Sequence, residues 1–318
     1  MDALTQQLIS PVVLCFLLGA VSRLIRSDLA LPEAVYSGLS IYLLFAIGLK
    51  GGVALSQTSF TEFYRPALGT ILIGVVTPFI AFYAVRYAGK LSKEDSAAVA
   101  AHYGSVSVVT FLASVEAAKR LGLESESYLS ALVALLEIPG IVIALLFARS
   151  SNKNSWSKAL HEVVTGKSIV LLAGGMLIGA LCGKQKVSEL DPLFVGCFKG
   201  ALCLFMIELG IVASKRLRDA ARAGFRLITL GFLLPPILGA FGVAVGLFCG
   251  LSVGGAMVLG SMSASASYIA APAAVRIALP EANPAYYLTL ALGITFPFNI
   301  ALGIPLYAKI SHYLAIWL

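Results

Sequence analysis

Residues 102–110 of this chain read HYGSVSVVT, and residues 261–268 read SMSASASY. In both stretches, serines alternate with small or apolar residues in the middle of a long apolar segment. A shift of 158 residues superimposes two pairs of these serines, Ser105 on Ser263 and Ser107 on Ser265. Matched polar interruptions in two apolar halves are the sequence signature of secondary transporters with internal repeats.

The same shift superimposes three further landmarks. These are Gly38 on Gly196, Pro78 on Pro236 and Pro139 on Pro297. Five coincidences at one offset, without gaps, indicate that the chain consists of two related halves.

The composition places the chain in a lipid bilayer. Its 318 residues are 59% hydrophobic and 12% charged, with a mean hydropathy of +0.92. Soluble domains carry about 25% charged residues, so most of this chain is expected to face lipid or other helices. The net charge of +7 is therefore interpreted as a topology signal, and it does not indicate nucleic-acid binding. The five cysteines lie in apolar stretches without metal-type spacing and are interpreted as packing residues.

Apolar stretches of about 17–25 residues are long enough to span the bilayer as helices. We count ten spans, at residues 8–25, 34–55, 66–88, 94–119, 128–148, 166–183, 192–213, 225–250, 253–278 and 284–316. Five spans per half is an odd number, so the second half enters the membrane from the opposite side. The predicted fold is therefore an all-α polytopic membrane protein, a 5+5 inverted repeat of ten transmembrane helices with helices 4 and 9 interrupted. The last span carries Pro297 and Pro305 and is expected to be kinked.

Lysine and arginine sort the connections into two sides. One side carries fifteen of them: Arg23, Arg26, Arg86, Lys90, Lys93, Arg149, Lys153, Lys158, Lys167, Lys215, Arg216, Arg218, Arg222, Arg226 and Arg276. The other carries six: Arg65, Lys119, Arg120, Lys184, Lys186 and Lys309. The positive-inside rule puts the richer side in the cytoplasm and both termini outside the plasma (inner) membrane. Residues 1–148 then form the first repeat, 149–165 a cytoplasmic linker and 166–318 the second repeat.

The serine clusters indicate helices that unwind in mid-membrane, where each break creates two new helix ends. Half-helices that begin near Ser107 and Ser267 would aim their N-termini, each with roughly half a positive charge, at one point. Two such ends make an anion site without lysine or arginine, and serine hydroxyls add donors. The predicted anion residues are Ser105, Val106, Ser107, Val108, Ser263, Ser265, Ala266 and Ser267. The alternative is that alternate serines only permit close helix packing.

Glu137 lies in the middle of the fifth span, where acidic residues are rare and functional by default. We predict that it binds a small cation or carries a proton. The alternative is a protonated glutamate bonded to a carbonyl that Pro139 leaves unpaired. The predicted cation residues are Glu137, Thr110, Thr295 and Tyr268, and His102 is assigned a proton-carrying or polar role. Unwound carbonyls next to the breaks suit sodium, and no organic cofactor is expected.

The chain resembles the SbtA-type sodium-dependent bicarbonate transporter family, the cyanobacterial proteins and their bacterial relatives, over essentially its whole length. The stretches that carry the resemblance are Ile47-Gly48-Leu49 with Gly51-Gly52, Gly104 with Val106-Ser107 and Thr110, Glu137-Ile138-Pro139, Ser265, Ser267, Pro272, Arg276 and Ala282-Asn283-Pro284. The resemblance implies bicarbonate held between the two broken helices, with sodium alongside. It also implies an elevator mechanism, in which a core domain (helices 3–5 and 8–10) moves past a trimer-forming gate domain (helices 1, 2, 6 and 7). A small PII-like protein regulates the family from the cytoplasmic side.

The chain departs from the cyanobacterial pattern next to the proposed site. Tyr268 stands where the cyanobacterial form has an acidic residue. The cyanobacterial form also has small or polar residues at the positions of Val108, Val109, Ala266 and Phe296. The connection between spans 5 and 6 is also shorter. The loss of the acid favours weaker dependence on sodium.

The sequence thus supports a secondary transporter, with sodium-coupled bicarbonate symport as the first hypothesis. The alternative is a carrier for another small anion, coupled to protons. An intramembrane enzyme is disfavoured, because the chain has no Gly-x-Ser-x-Gly elbow, metal motif or paired intramembrane aspartates.

The topology predicts how the linker reacts in intact cells. A cysteine introduced at Ser151 should resist an impermeant thiol reagent added from outside and react after permeabilisation, because the linker is cytoplasmic. Labelling of Ser151→Cys in intact cells would overturn the topology.

Overall fold

The structure is a computed structural model that describes residues 3–148 and 153–317. The predicted linker is thus described only from Lys153 onward, and the labelling position Ser151 lies outside the described residues.

Both described ranges are helical and contain no strand. Their seventeen α-helices are α1 Ala3–Leu8, α2 Pro11–Leu24, α3 Glu33–Ser56, α4 Phe60–Tyr83, α5 Lys93–Gly104, α6 Val108–Arg120, α7 Leu129–Glu137, α8 Pro139–Ala148, α9 Lys153–Val164, α10 Lys167–Val187, α11 Phe198–Ala223, α12 Phe225–Phe248, α13 Val253–Ser263, α14 Ala270–Ala278, α15 Pro284–Leu288, α16 Phe296–Phe298 and α17 Ile304–Leu314. Short π-helical segments lie at Ala84–Ala88, Pro192–Gly196, Thr289–Thr295 and Asn299–Gly303, and a 3₁₀ turn at Ser188–Leu190.

Six helical stretches of the described chain are long and apolar enough to cross a membrane. They are Glu33–Ser56, Phe60–Ala88, Lys93–Arg120, Lys167–Leu190, Phe225–Phe248 and Pro284–Leu314. Shorter apolar helices lie at Pro11–Leu24, Leu129–Ala144 and Val253–Ser263. The prediction of an all-helical membrane protein is confirmed, whereas ten spans in an inverted repeat remain a prediction.

Serine side chains begin several of these helices. Ser59 and Glu62 form a capping box at the start of α4, where the Ser59 hydroxyl accepts from the Glu62 amide at 3.3 Å. Ser92 caps α5 in the same way at 3.0 Å, and Ser252 caps α13 at 3.1 Å. Such caps satisfy amides that have no partner inside the helix, and each stabilises its helix by about 1 kcal/mol.

The chain leaves the helix at both serine clusters, as the sequence predicts. Helix α5 ends at Gly104 and α6 begins at Val108, while α13 ends at Ser263 and α14 begins at Ala270. A third interruption, at Ile138, divides the predicted fifth span into α7 and α8. Its physical reason is Pro139, which has no amide hydrogen to donate and whose ring displaces the preceding turn.

Glycines let two helix pairs pack backbone to backbone. Helix α3 packs along α10, where a side chain on Gly52 would meet the Met176 carbonyl oxygen at 2.0 Å. Helix α2 packs along α11, where a side chain on Gly19 would meet the Ile207 carbonyl oxygen at 1.9 Å. Close approach at small residues is how membrane helices gain packing energy without a hydrophobic driving force. These four helices contain the spans assigned by resemblance to the gate domain, a division that remains a prediction.

The linker contains a helix that the sequence did not predict. Helix α9 packs against α14, the half-helix that follows the second serine cluster. Val163 of α9 is buried, whereas most described side chains around it are exposed. The sequence predicted only a polar connection here, because residues 149–165 are mostly polar.

Gly104 and Gly140 hold α5 against α8 at the first serine cluster. A side chain on Gly140 would place its Cβ 1.8 Å from the Gly104 carbonyl oxygen. No rotamer relieves that contact, because the obstacle is backbone. The two helices therefore meet at this distance only with glycine at position 140.

This contact predicts a severe effect of one methyl group. Gly140→Ala should lower the thermal unfolding midpoint of the detergent-solubilised protein and abolish transport by the reconstituted chain, because α8 must shift away from α5. Gly174→Ala is the matched control, since its Cβ would meet nothing within 4 Å and helical alanine is favoured over glycine. A Gly140→Ala protein as stable as Gly174→Ala would contradict the packing.

Candidate functional site

The first interruption is built around Ser107. Its hydroxyl oxygen accepts a hydrogen bond from the Thr110 amide at 3.2 Å and another from the Thr110 hydroxyl at 3.0 Å. Ser107 is thus the N-cap of α6, as expected of serine before a new helix. Ser105 has extended backbone angles (φ −102°, ψ −174°), which turns the chain out of α5.

The second interruption is longer, and the residue before α14, Ile269, forms no side-chain cap. The Ser265 hydroxyl donates to the Met262 carbonyl at 2.7 Å, which closes the end of α13. The Ser267 hydroxyl accepts from the Ala271 amide in the first turn of α14 at 3.4 Å. The two hydroxyls therefore act on opposite ends of the interruption.

Two hydrogen bonds join the interruptions to each other. The Ser107 amide donates to the Ser265 hydroxyl oxygen at 2.8 Å, across 158 residues of sequence. The Ser267 amide donates to the His102 carbonyl at 2.7 Å. The structure therefore brings together the two serines that the sequence offset superimposes, and each chain break supplies partners to the other.

All eight predicted anion residues are buried, at 5% exposure or less. All eight lie at or between the broken helix ends, and Ser263 is the last residue of α13. Ser263 differs in its hydroxyl, which donates to the Leu238 carbonyl of α12 at 2.8 Å. The Ser263 hydroxyl is therefore occupied in holding α13 against α12.

The electrostatics of this crossing come from backbone dipoles. The N-termini of α6 and α14 contribute partial positive charge and first-turn amides, while the C-termini of α5 and α13 contribute carbonyl oxygens. Two partly positive and two partly negative helix ends thus lie within one buried region. In proteins generally, helix N-termini bind anions and helix C-termini bind small cations without a basic side chain.

The predicted cation residues divide into two groups. Glu137 is 1% exposed and accepts a hydrogen bond from the Ser105 hydroxyl at 2.8 Å. Thr110 bonds to Ser107, so both side chains contact serines of the first interruption. Thr295 is placed elsewhere: its hydroxyl pairs with the Tyr103 hydroxyl at 2.5 Å and donates to the Gly231 carbonyl at 3.2 Å.

Tyr268 and His102 each have one buried polar atom, the hydroxyl oxygen and Nε2, that has no hydrogen-bond partner among the described residues. The Tyr268 hydroxyl lies near Ser107, and its ring meets Phe296 edge-on at 5.7 Å. His102 donates from Nδ1 to the Ala98 carbonyl at 2.7 Å, which leaves Nε2 as the unpartnered nitrogen. Its ring stacks on Tyr287 at 4.5 Å.

Asn299 was not among the site residues predicted from the sequence. Its amide nitrogen donates to the Ala264 carbonyl of the second interruption at 2.9 Å, and the Tyr307 hydroxyl donates to its oxygen at 2.8 Å. A carboxamide inside an apolar span was the available signal, because polar groups at that depth are costly without a partner.

Comparison with known proteins places this architecture in a family. The sequence model of the Na⁺-dependent bicarbonate transporter superfamily matches residues 11–312, nearly the whole chain. No curated protein gives a significant match. The match confirms the resemblance drawn from the serine clusters and the Glu137-Ile138-Pro139 motif, and the family consists of transporters and not of enzymes. The chain belongs to the Na⁺-dependent bicarbonate transporter superfamily.

Proposed function

We propose that this chain is a sodium-coupled bicarbonate symporter that holds the anion at the crossing of its two interrupted helices. The observation that carries the proposal is the hydrogen bond from the Ser107 amide to the Ser265 hydroxyl. It joins the two breaks at one buried point, and both of its partners are groups that a small oxyanion can engage.

Bicarbonate would replace this neutral contact with charged ones. One anion oxygen accepts from the Ser107 amide, and the Ser265 hydroxyl turns from the Met262 carbonyl to donate to the same anion. Hydrogen bonds to a charged group contribute about 1.5–3 kcal/mol, against about 0.5–1.5 kcal/mol for neutral pairs. The exchange therefore favours the bound anion. The hydroxyl of bicarbonate finds acceptors in the carbonyls that end α5 and α13.

Sodium fits the oxygen donors on the other side of the first interruption. Glu137 supplies a carboxylate oxygen and Ser105 a hydroxyl oxygen, 2.8 Å apart, and the ending of α5 adds carbonyls. The two cargo ions would then lie close together, because Ser105 and Ser107 belong to the same short break. Opposite charges about 5 Å apart attract by about 3 kcal/mol at an effective dielectric of 20. This attraction makes the binding of each ion depend on the other.

The remaining family features complete the proposal. The core helices would carry both ions past the gate helices α2, α3, α10 and α11 in an elevator movement. We further propose a homotrimer in the plasma membrane with both termini outside, and a PII-like regulator on the cytoplasmic side. These rest on the family resemblance and on the loop charges.

A proton-coupled carrier of another small anion is the second candidate. Glu137 is fully enclosed, and the contact described for its carboxylate is a neutral hydroxyl. Such a carboxyl is suited to take up and release a proton. Tyr268 favours this candidate because it supplies a hydroxyl near Ser107 where the cyanobacterial form has an acid.

Uptake by the purified chain distinguishes these candidates. Reconstituted into proteoliposomes, it should accumulate labelled bicarbonate when an inward sodium gradient is imposed. A proton-coupled carrier would instead respond to an inward proton gradient with sodium absent. Accumulation that ignores both gradients contradicts both candidates.

The anion site predicts the effect of removing single hydroxyls. Ser107→Ala and Ser265→Ala should each weaken bicarbonate affinity at least several-fold. Ser265→Ala deletes the hydroxyl that would donate to the anion, and Ser107→Ala deletes the side-chain cap that fixes the start of α6 and its amide. Ser114→Ala and Ser261→Ala are matched controls, since the hydrogen bonds described for these buried serines of α6 and α13 go to carbonyls of their own helices. Normal transport kinetics in both site variants would place the anion elsewhere.

The coupling site predicts a separation of two activities. Glu137→Gln should abolish gradient-driven uptake, because the neutral amide neither balances sodium nor carries a proton. Anion exchange, measured with labelled bicarbonate on one side and unlabelled on the other, should persist. Sodium-driven uptake at the wild-type rate would show that Glu137 is structural.

A further inference from the structure

A cavity of about 400 Å³ lies between helices assigned by resemblance to the gate domain and helices assigned to the core domain. Its walls are α3 and α11 on one side, and α6 with the beginning of α7 on the other. Three lysines, one from each of α3, α6 and α11, line it: Lys50, Lys119 and Lys199. By the predicted topology, this is the outer side of the protein.

The floor of the cavity approaches the anion site. Phe111 and Leu112 line it, and Phe111 follows the cap residue Ser107 by one turn of α6. At 1.5 Å per residue, that separation is about 6 Å along the helix. Lys119 lies about 18 Å from Ser107 on the same scale. The cavity therefore leads from the lysines down α6 towards the crossing.

Each of the two carboxylates that line the cavity has a partner for one of its oxygens. Glu116 forms an ion pair with Lys199 at 2.6 Å. One oxygen of Glu126 accepts from the Ser252 amide at 2.6 Å. Lys50 and Lys119 line the same cavity and repel each other, while Asp191 attracts Lys50. Three lysines and two glutamates line the cavity, so the lining carries a formal excess of one positive charge.

Two buried oxygens on the same wall have no partner among the described residues. They are the Ser130 hydroxyl and the second oxygen of Glu126. Ser130 is 7% exposed and packs against Gly51 of α3. A buried hydroxyl without a partner is unfavourable, and a ligand that accepts from it relieves this cost. The Ser130 hydroxyl is such a donor, whereas the Glu126 oxygen only accepts and does not favour an anion.

Building on the proposed function, we propose that this cavity collects bicarbonate from the outer solution before it reaches the crossing. An oxyanion between Lys50 and Lys119 relieves their repulsion and accepts from the Ser130 hydroxyl. The cavity raises the local concentration of the anion, in the way that charged clefts steer small ions. The anion would bind first in this cavity and then at the crossing.

Transport kinetics test the collecting role. Lys50→Gln and Lys119→Gln should each raise the apparent KM for external bicarbonate about threefold at low ionic strength, because one unit charge is lost within several ångströms of the anion. Maximal uptake should not change, and the KM difference should vanish in about 1 M salt. Lys50→Arg keeps the charge above Phe198 and should match the wild type. Lys184→Gln is the control for an outer lysine that does not line the cavity.

A second measurement reports the potential of the cavity without transport. Ser127→Cys, placed on the cavity wall, is made in a chain whose exposed Cys182 and Cys197 are replaced by serine. Its reaction rates with an anionic and a cationic methanethiosulfonate reagent are divided by those of a free thiol. The anionic reagent should be favoured about threefold or more, and the bias should fall when Lys50 and Lys119 are both glutamine. Ser56→Cys, outside the cavity, is the positional control.

The two readouts separate failure of this proposal from failure of the proposed function. Two results would overturn the collecting site alone. One is an unchanged KM in both lysine variants while the wild type takes up bicarbonate. The other is an anionic preference of the Ser127→Cys thiol that persists when both lysines are replaced. Absence of bicarbonate uptake by the wild type, with the anionic bias present and dependent on the lysines, overturns the proposed function and supports the cavity as an anion-collecting site.

Discussion

The structure depends on one constraint: each backbone amide and carbonyl inside a membrane needs a hydrogen-bond partner. A helix meets that need by itself, and a broken helix does not. Here each broken helix supplies hydrogen-bond partners for the other. The Ser107 amide donates to the Ser265 hydroxyl, and the Ser267 amide donates to the His102 carbonyl. Asn299 satisfies the Ala264 carbonyl from a third direction. The interruptions are therefore stable only together.

The same constraint explains how the site acquires charge without a basic side chain. Unpaired helix ends carry partial charges of both signs, and the crossing collects four such ends in a buried place. Glycine makes the arrangement possible, since the contact of Gly140 with Gly104 brings Glu137 within reach of Ser105. Basic side chains lie further out, in the lysine-lined cavity. In the proposed function, long-range attraction and final recognition are thus assigned to different parts of the molecule.

Much of this was predictable from the sequence, because membrane helices and their breaks leave strong compositional signals. The serine clusters located both interruptions, and the offset of 158 paired Ser107 with Ser265. The expected grouping of Glu137 with Thr295 was not found in the hydrogen bonds described, because the hydroxyl of Thr295 faces Tyr103 and Gly231. Periodicity tells which residues are buried but not which neighbour they meet. Contacts set by tertiary packing, such as that of helix α9 on α14, leave no signal in a single sequence.

The most direct test of the crossing is an experimental structure determined with bicarbonate and sodium bound. Density for the anion is expected within hydrogen-bonding distance of the Ser107 amide and the Ser265 hydroxyl, and the 2.8 Å hydrogen bond between those two groups should be opened by the ligand. Sodium should lie beside Glu137 and Ser105. A bound anion elsewhere, with the Ser107–Ser265 bond intact, would contradict the central claim that the two broken helices form the transport site.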